Sequence, residues 1–219
     1  MSPHLLVVNP NSTAEMTDRI GAEARQYLPA NIDMSTRTNP GGPPSIQGAA
    51  DGKEALPGTL EILQKTDFDL AIIACFDDTG LTETAKKNVF GIGQAAMQAA
   101  HDLRQPYAVL TTSELSVPVL EANAKLYGLT DTLICIRAST IAVLDFEQQR
   151  DSANKRLIAA ARKLMEDHPE LRTIVLGCAG MGGLAEEMEQ HLNLKVIDPI
   201  KAAVTKAVKT LTVPAVSLH

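Results

Sequence analysis

Eight short segments, most of them apolar, punctuate the chain, and amphipathic stretches separate them. They are "LLVV" (5–8), "DMSTR" (33–37), "LAIIAC" (70–75), "VFGI" (89–92), "YAVLTT" (107–112), "LICIRA" (133–138), "TIVLGC" (173–178) and "KVID" (195–198). Runs this short, rich in Val, Ile and Leu, read as buried strands. Between them apolar residues recur at helical spacing over about 13–27, 52–65, 80–87, 93–103, 116–127, 147–167, 183–192 and 199–210. Asn11, Ser12 and Thr13 offer caps to the first helix, and "DP" at 198–199 puts Pro at a first helical position. Strands alternating with helices predict an α/β fold with largely parallel sheets. The Gly- and Pro-dense segment 36–48 is a loop of the kind that carries binding residues.

The pattern also repeats. One strand ends at Asn9 and another at Cys75; in the second half the corresponding ends are Thr111 and Cys178. Each cysteine is followed by a Gly-containing turn, a helix, a short strand and a helix start with paired alanines, "GIGQAA" (91–96) and "DPIKAA" (198–203). This predicts two pseudo-symmetric lobes, each a mostly parallel sheet flanked by helices. The first spans 1–96 plus 204–219 and the second 97–203. Ligands of open parallel sheets bind beyond the carboxyl ends of the strands, so both cysteines are expected to line one interlobe cleft.

Composition narrows the function. A net charge of −6 with no Lys/Arg cluster argues against nucleic acid. No apolar run reaches the roughly 20 residues of a membrane span, and the N-terminal apolar patch is too short for a signal peptide. Three cysteines make no disulfide framework, so a cytoplasmic location is expected. No histidine has metal spacing with the cysteines, and no metal or organic cofactor is expected.

A lone strand-end cysteine is ordinarily inert core. Two at matching places of a repeat point instead to acid/base work. One thiolate removes a proton from a carbon acid, and the opposite thiol protonates the other face. Helix N-termini after each cysteine favour thiolate and supply N–H groups for a developing enolate. Cys135, in the middle of its run, reads as core. Asn9 and Asn11 at the first strand end, and Thr111, Thr112 and Ser113 at the matching end, are candidates to hold a substrate carbonyl, with Ser45 in the Pro/Gly loop behind them. "GIGQAA" fits G-x-G-x-x-A, but the next strand ends in "TTSE" rather than at a ribose-binding acid. Tight strand–helix packing is the better reading of it.

These residues resemble the aspartate/glutamate/hydantoin racemase superfamily, in its hydantoin and allantoin racemase branch. "NPNST" (9–13) is similar to the branch's N-P-N-[ST] signature, and "GPPSIQG" to its G-P-x-S-I-E-G loop. "ACFDDTG" is similar to A-C-F-G-D-P-G, "GIGQAAM" to G-I-G-E-A-A, "LTTSELSVPVL" to T-T…S-V-P, and "LGCAGM" to the second cysteine motif. The resemblance implies two α/β lobes, Cys75 and Cys178 as the acid/base thiols, no cofactor, a small-molecule substrate and a homo-oligomer. It also implies that Asn11, Thr112 and the turns after the cysteines (Phe76, Asp77 and Thr79; Ala179, Gly180 and Met181) hold the substrate's ring amides and carbonyls. Asp77, Thr79 and Gln47 depart from the branch pattern, which has Gly, Pro and Glu there. An inward-facing Asp77 would raise the Cys75 pKa.

The expected activity is cofactor-independent racemisation at a carbon α to a carbonyl, in a 5-substituted hydantoin or allantoin. An aspartate/glutamate-type racemase ranks lower because no Arg/Lys constellation awaits an α-carboxylate. A related decarboxylase or isomerase is a further alternative, and decarboxylation needs only one of the two thiols, as proton donor. Outside enzymes, the alternative is a two-lobed binding protein or thiol redox sensor.

Overall fold

The computed structural model describes residues 2–212. Positions 1 and 213–219, which include His219 and the end of the expected first lobe, lie outside the described residues. All eight expected strands form: β1 (His4–Asn9), β2 (Asp33–Thr38), β3 (Leu70–Ile73), β4 (Val89–Gly91), β5 (Tyr107–Thr111), β6 (Leu133–Ala138), β7 (Thr173–Gly177) and β8 (Lys195–Ile197). The helices are α1 (Ala14–Gln26), α2 (Ala49–Lys65), α3 (Ile92–His101), α4 (Val117–Leu126), α5 (Asp145–Gln148), α6 (Arg150–Asp167), α7 (Ala185–Leu192) and α8 (Pro199–Thr212).

Three expectations about the helices need correction. The helix expected at 80–87 is a run of turns. Asp78 and Gly80 hold φ of 53° and 92°, so the chain leaves the cysteine turn in left-handed backbone that cannot propagate a helix. The single helix expected at 147–167 is two, interrupted at Gln149, whose φ of −140° and ψ of 46° are not helical. Thr13 is the residue before α1, but its hydroxyl makes no cap bond there. It donates to the Pro44 carbonyl at 2.7 Å instead and ties the Pro/Gly loop to the first strand end.

The strands build two four-stranded sheets, ordered β2-β1-β3-β4 and β6-β5-β7-β8, with every pairing parallel. The two orders are the same topology, as the repeat predicts. In each, the chain reverses its direction of winding between the two central strands, β1/β3 and β5/β7. A crevice opens at such a switch point beyond the carboxyl ends. Asn9 and Cys75 stand at the first crevice, Thr111 and Cys178 at the second.

Burial on both faces explains why the central strands β1, β3, β5 and β7 read as apolar runs rather than as alternation. Leu5, Val7 and Ile72 face a core that continues into the second lobe through Tyr107, Val109, Ile174 and Leu176. Leu6, Val8, Ala71 and Ile73 face a smaller cluster closed by Leu63 of α2. At the junction of the lobes, α8 packs against α3 and α1 and reaches β3 and β7. Cys135 departs from its expected core position: β6 is an edge strand, and the thiol is only half-buried, 3.7 Å from His168 Nε2. Among the described residues, no helix is long and apolar enough to cross a membrane.

Candidate active site

After β3 the ladder continues for one residue, Ala74 N–H donating to the Val8 carbonyl at 2.7 Å, and the chain then turns at Cys75. The turn closes when Asp78 N–H donates to the Cys75 carbonyl at 3.0 Å. In its left-handed conformation Asp78 sends its carboxylate to the start of α3. There it accepts from Gly93 N–H (2.9 Å), Gln94 N–H (2.7 Å) and the Tyr127 hydroxyl (3.0 Å). A Cβ at Gly91 would come within 1.8 Å of Asp78 Oδ1, and one at Gly93 within 2.2 Å of the Phe76 carbonyl. The "GIGQAA" glycines therefore admit the cysteine turn, and a carboxylate already fills the helix N-terminus where a dinucleotide phosphate would sit.

The second cysteine turn is anchored by the same kind of bond. Cys178 follows β7 directly, opens a 3-10 turn (Ala179–Met181), and its Sγ accepts from Gly180 N–H at 3.3 Å. The chain past it is held by Asp198, which takes Gly183 N–H at 2.6 Å on one oxygen and Ile200 and Lys201 N–H, at 2.9 and 3.0 Å, on the other. Each lobe thus joins its cysteine turn to a helix N-terminus through one buried aspartate. In the first lobe the aspartate sits on the turn; in the second it precedes the helix.

Both cysteines line one small cavity between the lobes, of about 30 Å³. Asn11, Met16, Ile46, Phe76 and Asp77 line it from the first lobe. Thr111, Thr112, Ser116, Val143 and Ala179 line it from the second.

The expected site residues distribute unevenly around this cavity. Asn9 is buried behind it, its amide donating to Asn11 Oδ1 at 2.8 Å and Thr17 Oγ1 at 3.0 Å. It orients Asn11, whose own amide N–H meets Met16 Sδ at 3.1 Å, a weak acceptor that a ligand carbonyl outcompetes. Thr111 lines the wall but donates its hydroxyl to the Gly177 carbonyl at 2.9 Å. Thr112 lines the wall with no hydrogen bond among the described residues. Ser45 lies outside the cavity and accepts from Gln47 Nε2, while its neighbour Ile46 reaches the wall. Thr79 stands beside Cys75, its Oγ1 3.9 Å from the sulfur. Gly180 contributes its N–H to the Cys178 thiol, and Met181 is fully buried beneath it.

Charges act differently on the two thiols. Burial pushes Cys75 well above the ordinary thiol value; the Asp77 carboxylate adds to this, while the Asp77 N–H and the Thr79 hydroxyl oppose it. Burial pushes Cys178 up to about 11, opposed by the Gly180 N–H and the Arg19 guanidinium. Asp77 itself is raised to about 6 by burial, against hydrogen bonds from Gly48 and Ser116. Arg19 pairs across the lobes with Glu147. Beside it, burial and the neighbouring Asp198 hold the Glu23 carboxyl well above its usual range.

Sequence reasoning missed Arg19, Glu147, Ser116 and Val143. Arg19 and Glu147 are 128 residues apart, and nothing local marks their pairing. Ser116 and Val143 follow the ends of β5 and β6, so the rule that parallel strands carry sites beyond their carboxyl ends was the available signal.

The fold and the paired strand-end cysteines define a two-lobed α/β enzyme with a thiol-lined cleft. The chain belongs to the Asp/Glu/hydantoin racemase family, whose model matches residues 5–207, and it is an isomerase of the racemase class. A hydantoin racemase of Rhizobium meliloti is 35% identical over 210 residues, covering 93% of this chain and 87% of that protein. The crystal structure of an allantoin racemase from Pseudomonas fluorescens superposes with a TM-score of 0.87 at 32% identity, covering 95% of this chain and 90% of that one. An allantoin racemase from Klebsiella pneumoniae gives 0.86 at 31% identity, with coverages of 96% and 87%.

Proposed function

We propose that the protein racemises a 5-substituted hydantoin or allantoin at C5, with Cys75 and Cys178 as the paired acid and base. The observation that carries this reading is that the two thiols come from opposite lobes and line one cavity. The hydantoin and allantoin racemases similar to the chain support the substrate class.

In the proposed cycle one cysteine is a thiolate and the other a thiol. The thiolate takes the C5 proton, and the C5–H electron pair moves into the ring carbonyl to give a planar enolate. The opposite thiol then protonates the other face of C5 and becomes the thiolate. The charge has crossed the cleft, and the enzyme is ready for the other enantiomer. The Asn11 amide and the Thr112 hydroxyl are the uncommitted donors on the cavity wall for the enolate and ring carbonyls. Backbone N–H groups two residues after each cysteine hold the thiolate form.

The test is a screen for solvent deuterium entry and loss of optical rotation over enantiopure 5-substituted hydantoins, allantoin, aspartate and glutamate. Exchange confined to the hydantoins and allantoin is expected. Exchange with the acidic amino acids alone would reassign the substrate. Ligand-induced thermal stabilisation without any exchange would make the chain a binding protein.

A further inference from the structure

Beside the thiol-lined cavity lies a larger one, of about 340 Å³, between the 77–83 turns and α2 on one side and α4 on the other. Asp77 is the one residue that lines both. It is a half-buried partition held from three directions. Its Oδ2 accepts from Gly48 N–H at 3.1 Å, at the end of the Pro/Gly loop, and from the Ser116 hydroxyl at 3.3 Å in the second lobe. Its carbonyl accepts from Asn123 Nδ2 of α4 at 3.0 Å. Both side-chain bonds fall on Oδ2, so among the described residues Oδ1 accepts none.

The thiol-lined cavity has about a tenth of the volume of its neighbour and leaves little room for a ring's substituent. The strand-end walls at Thr111, Gly177 and Cys178 are fixed by sheet pairing. The Asp77 partition is fixed by two side-chain hydrogen bonds. Displacing it joins the two cavities, and the joined space extends away from the sheets. A ring whose C5 lies between the thiols then directs its substituent past Asp77. The cavity behind is of mixed polarity: Lys53, Glu83 and Asn123 line it together with Leu56 and Val119.

We infer that Asp77 and the cavity behind it form the subsite for the C5 substituent and select one that carries N–H donors, such as a ureido group, over an alkyl group of similar size. A ureido group gives N–H to the uncommitted Asp77 oxygen and presents its carbonyl to Lys53 or Asn123. An alkyl group leaves Asp77 Oδ1 desolvated without a partner, which is the costly case. This rests on the hydantoin reading above and goes beyond it by naming the residue that chooses the substituent.

The test measures kcat/KM for racemisation of allantoin, 5-isopropylhydantoin and 5-methylhydantoin by the wild type, Asp77→Asn and Val119→Phe. Asp77→Asn keeps the shape of the side chain, and Val119 is half-buried, so melting temperatures are recorded alongside. The wild type should prefer allantoin to 5-isopropylhydantoin by about tenfold or more, the scale of one hydrogen bond to a charged group. Asp77→Asn should lower that ratio by about tenfold. Val119→Phe, which fills the second cavity, should lower the ratio of allantoin to 5-methylhydantoin. Equal losses on all three substrates, or a wild type that prefers the isopropyl compound, would overturn the subsite while leaving the racemase reading in force. No turnover of any of the three would remove the hydantoin reading and the subsite with it.

Discussion

The Asp77 carboxylate raises both thiols, whereas the Arg19 guanidinium opposes the rise at Cys178 and does not figure at Cys75. Exposure alone would rank the thiols the other way. Cys75 is half-buried and Cys178 nearly closed off, so solvent should favour the Cys75 thiolate. Burial is the main cause that raises both, Cys75 well above its ordinary value and Cys178 to about 11, and Arg19 opposes the rise at Cys178. Two turns of one plan, each with an N–H aimed at sulfur from two residues on, thus differ in the cation that acts on the second. In the proposed cycle both thiols act, and Arg19 favours the thiolate on Cys178.

The largest expected effect follows from removing either thiol. Cys75→Ser and Cys178→Ser should each lower the racemisation rate by about 10²–10⁴-fold, followed as decay of optical rotation. A variant that keeps wild-type rate would show that its cysteine is only part of the wall.

The next effects act on the charges. Because both thiols are raised, kcat/KM should climb by roughly tenfold per pH unit between about pH 7 and 9, as the thiolate fraction grows. Arg19→Gln removes the cation that lowers Cys178 and should shift this limb to higher pH, with a loss of about tenfold at pH 8. Asp77→Asn removes the carboxylate that raises Cys75 and should shift the limb to lower pH, measured with 5-methylhydantoin to avoid the substituent effect. Shifts in the same direction would contradict the opposed charges.

Packing beneath the turns gives a smaller effect. Gly93→Ala drives a Cβ to 2.2 Å from the Phe76 carbonyl, a backbone atom, and should cost about 1–3 kcal/mol in thermal or denaturant unfolding. The smallest effect lies under the Cys178 turn. Glu23 is raised chiefly by burial, then by Asp198. Above the ordinary carboxylate range the native state therefore keeps a proton that the unfolded state has lost. Stability should fall as pH rises through that interval. Glu23→Gln removes the dependence, so its melting temperature should gain on the wild type between about pH 5 and 8.

How much of this was legible in the chain depended on the range of the interaction. Strands buried on both faces, such as β1 and β7, are written as continuous apolar runs, and their ends located both cysteines. The turn chemistry of Asp78 was legible because a short polar side chain after a strand bonds local N–H groups. The 80–87 segment was misread because "LTETAKK" has helix-compatible composition while its entry through Asp78 and Gly80 is left-handed. Long-range partners left no local mark: Ser116 meets Asp77 across 39 residues and Arg19 meets Glu147 across 128. These contacts join residues of opposed lobes.

The measurement closest to the central claim is the isotope distribution between enantiomers early in the reaction in D₂O, starting from one enantiomer of a hydantoin that the enzyme turns over. With two thiols, the product receives its proton from the group facing solvent-derived deuterium, while the abstracted proton stays on the other sulfur. The expected result is deuterium at C5 of nearly every product molecule and protium in the remaining substrate. Product that keeps the original protium, or substrate that gains deuterium as fast as product forms, would contradict two-thiol catalysis and leave a single base between the lobes.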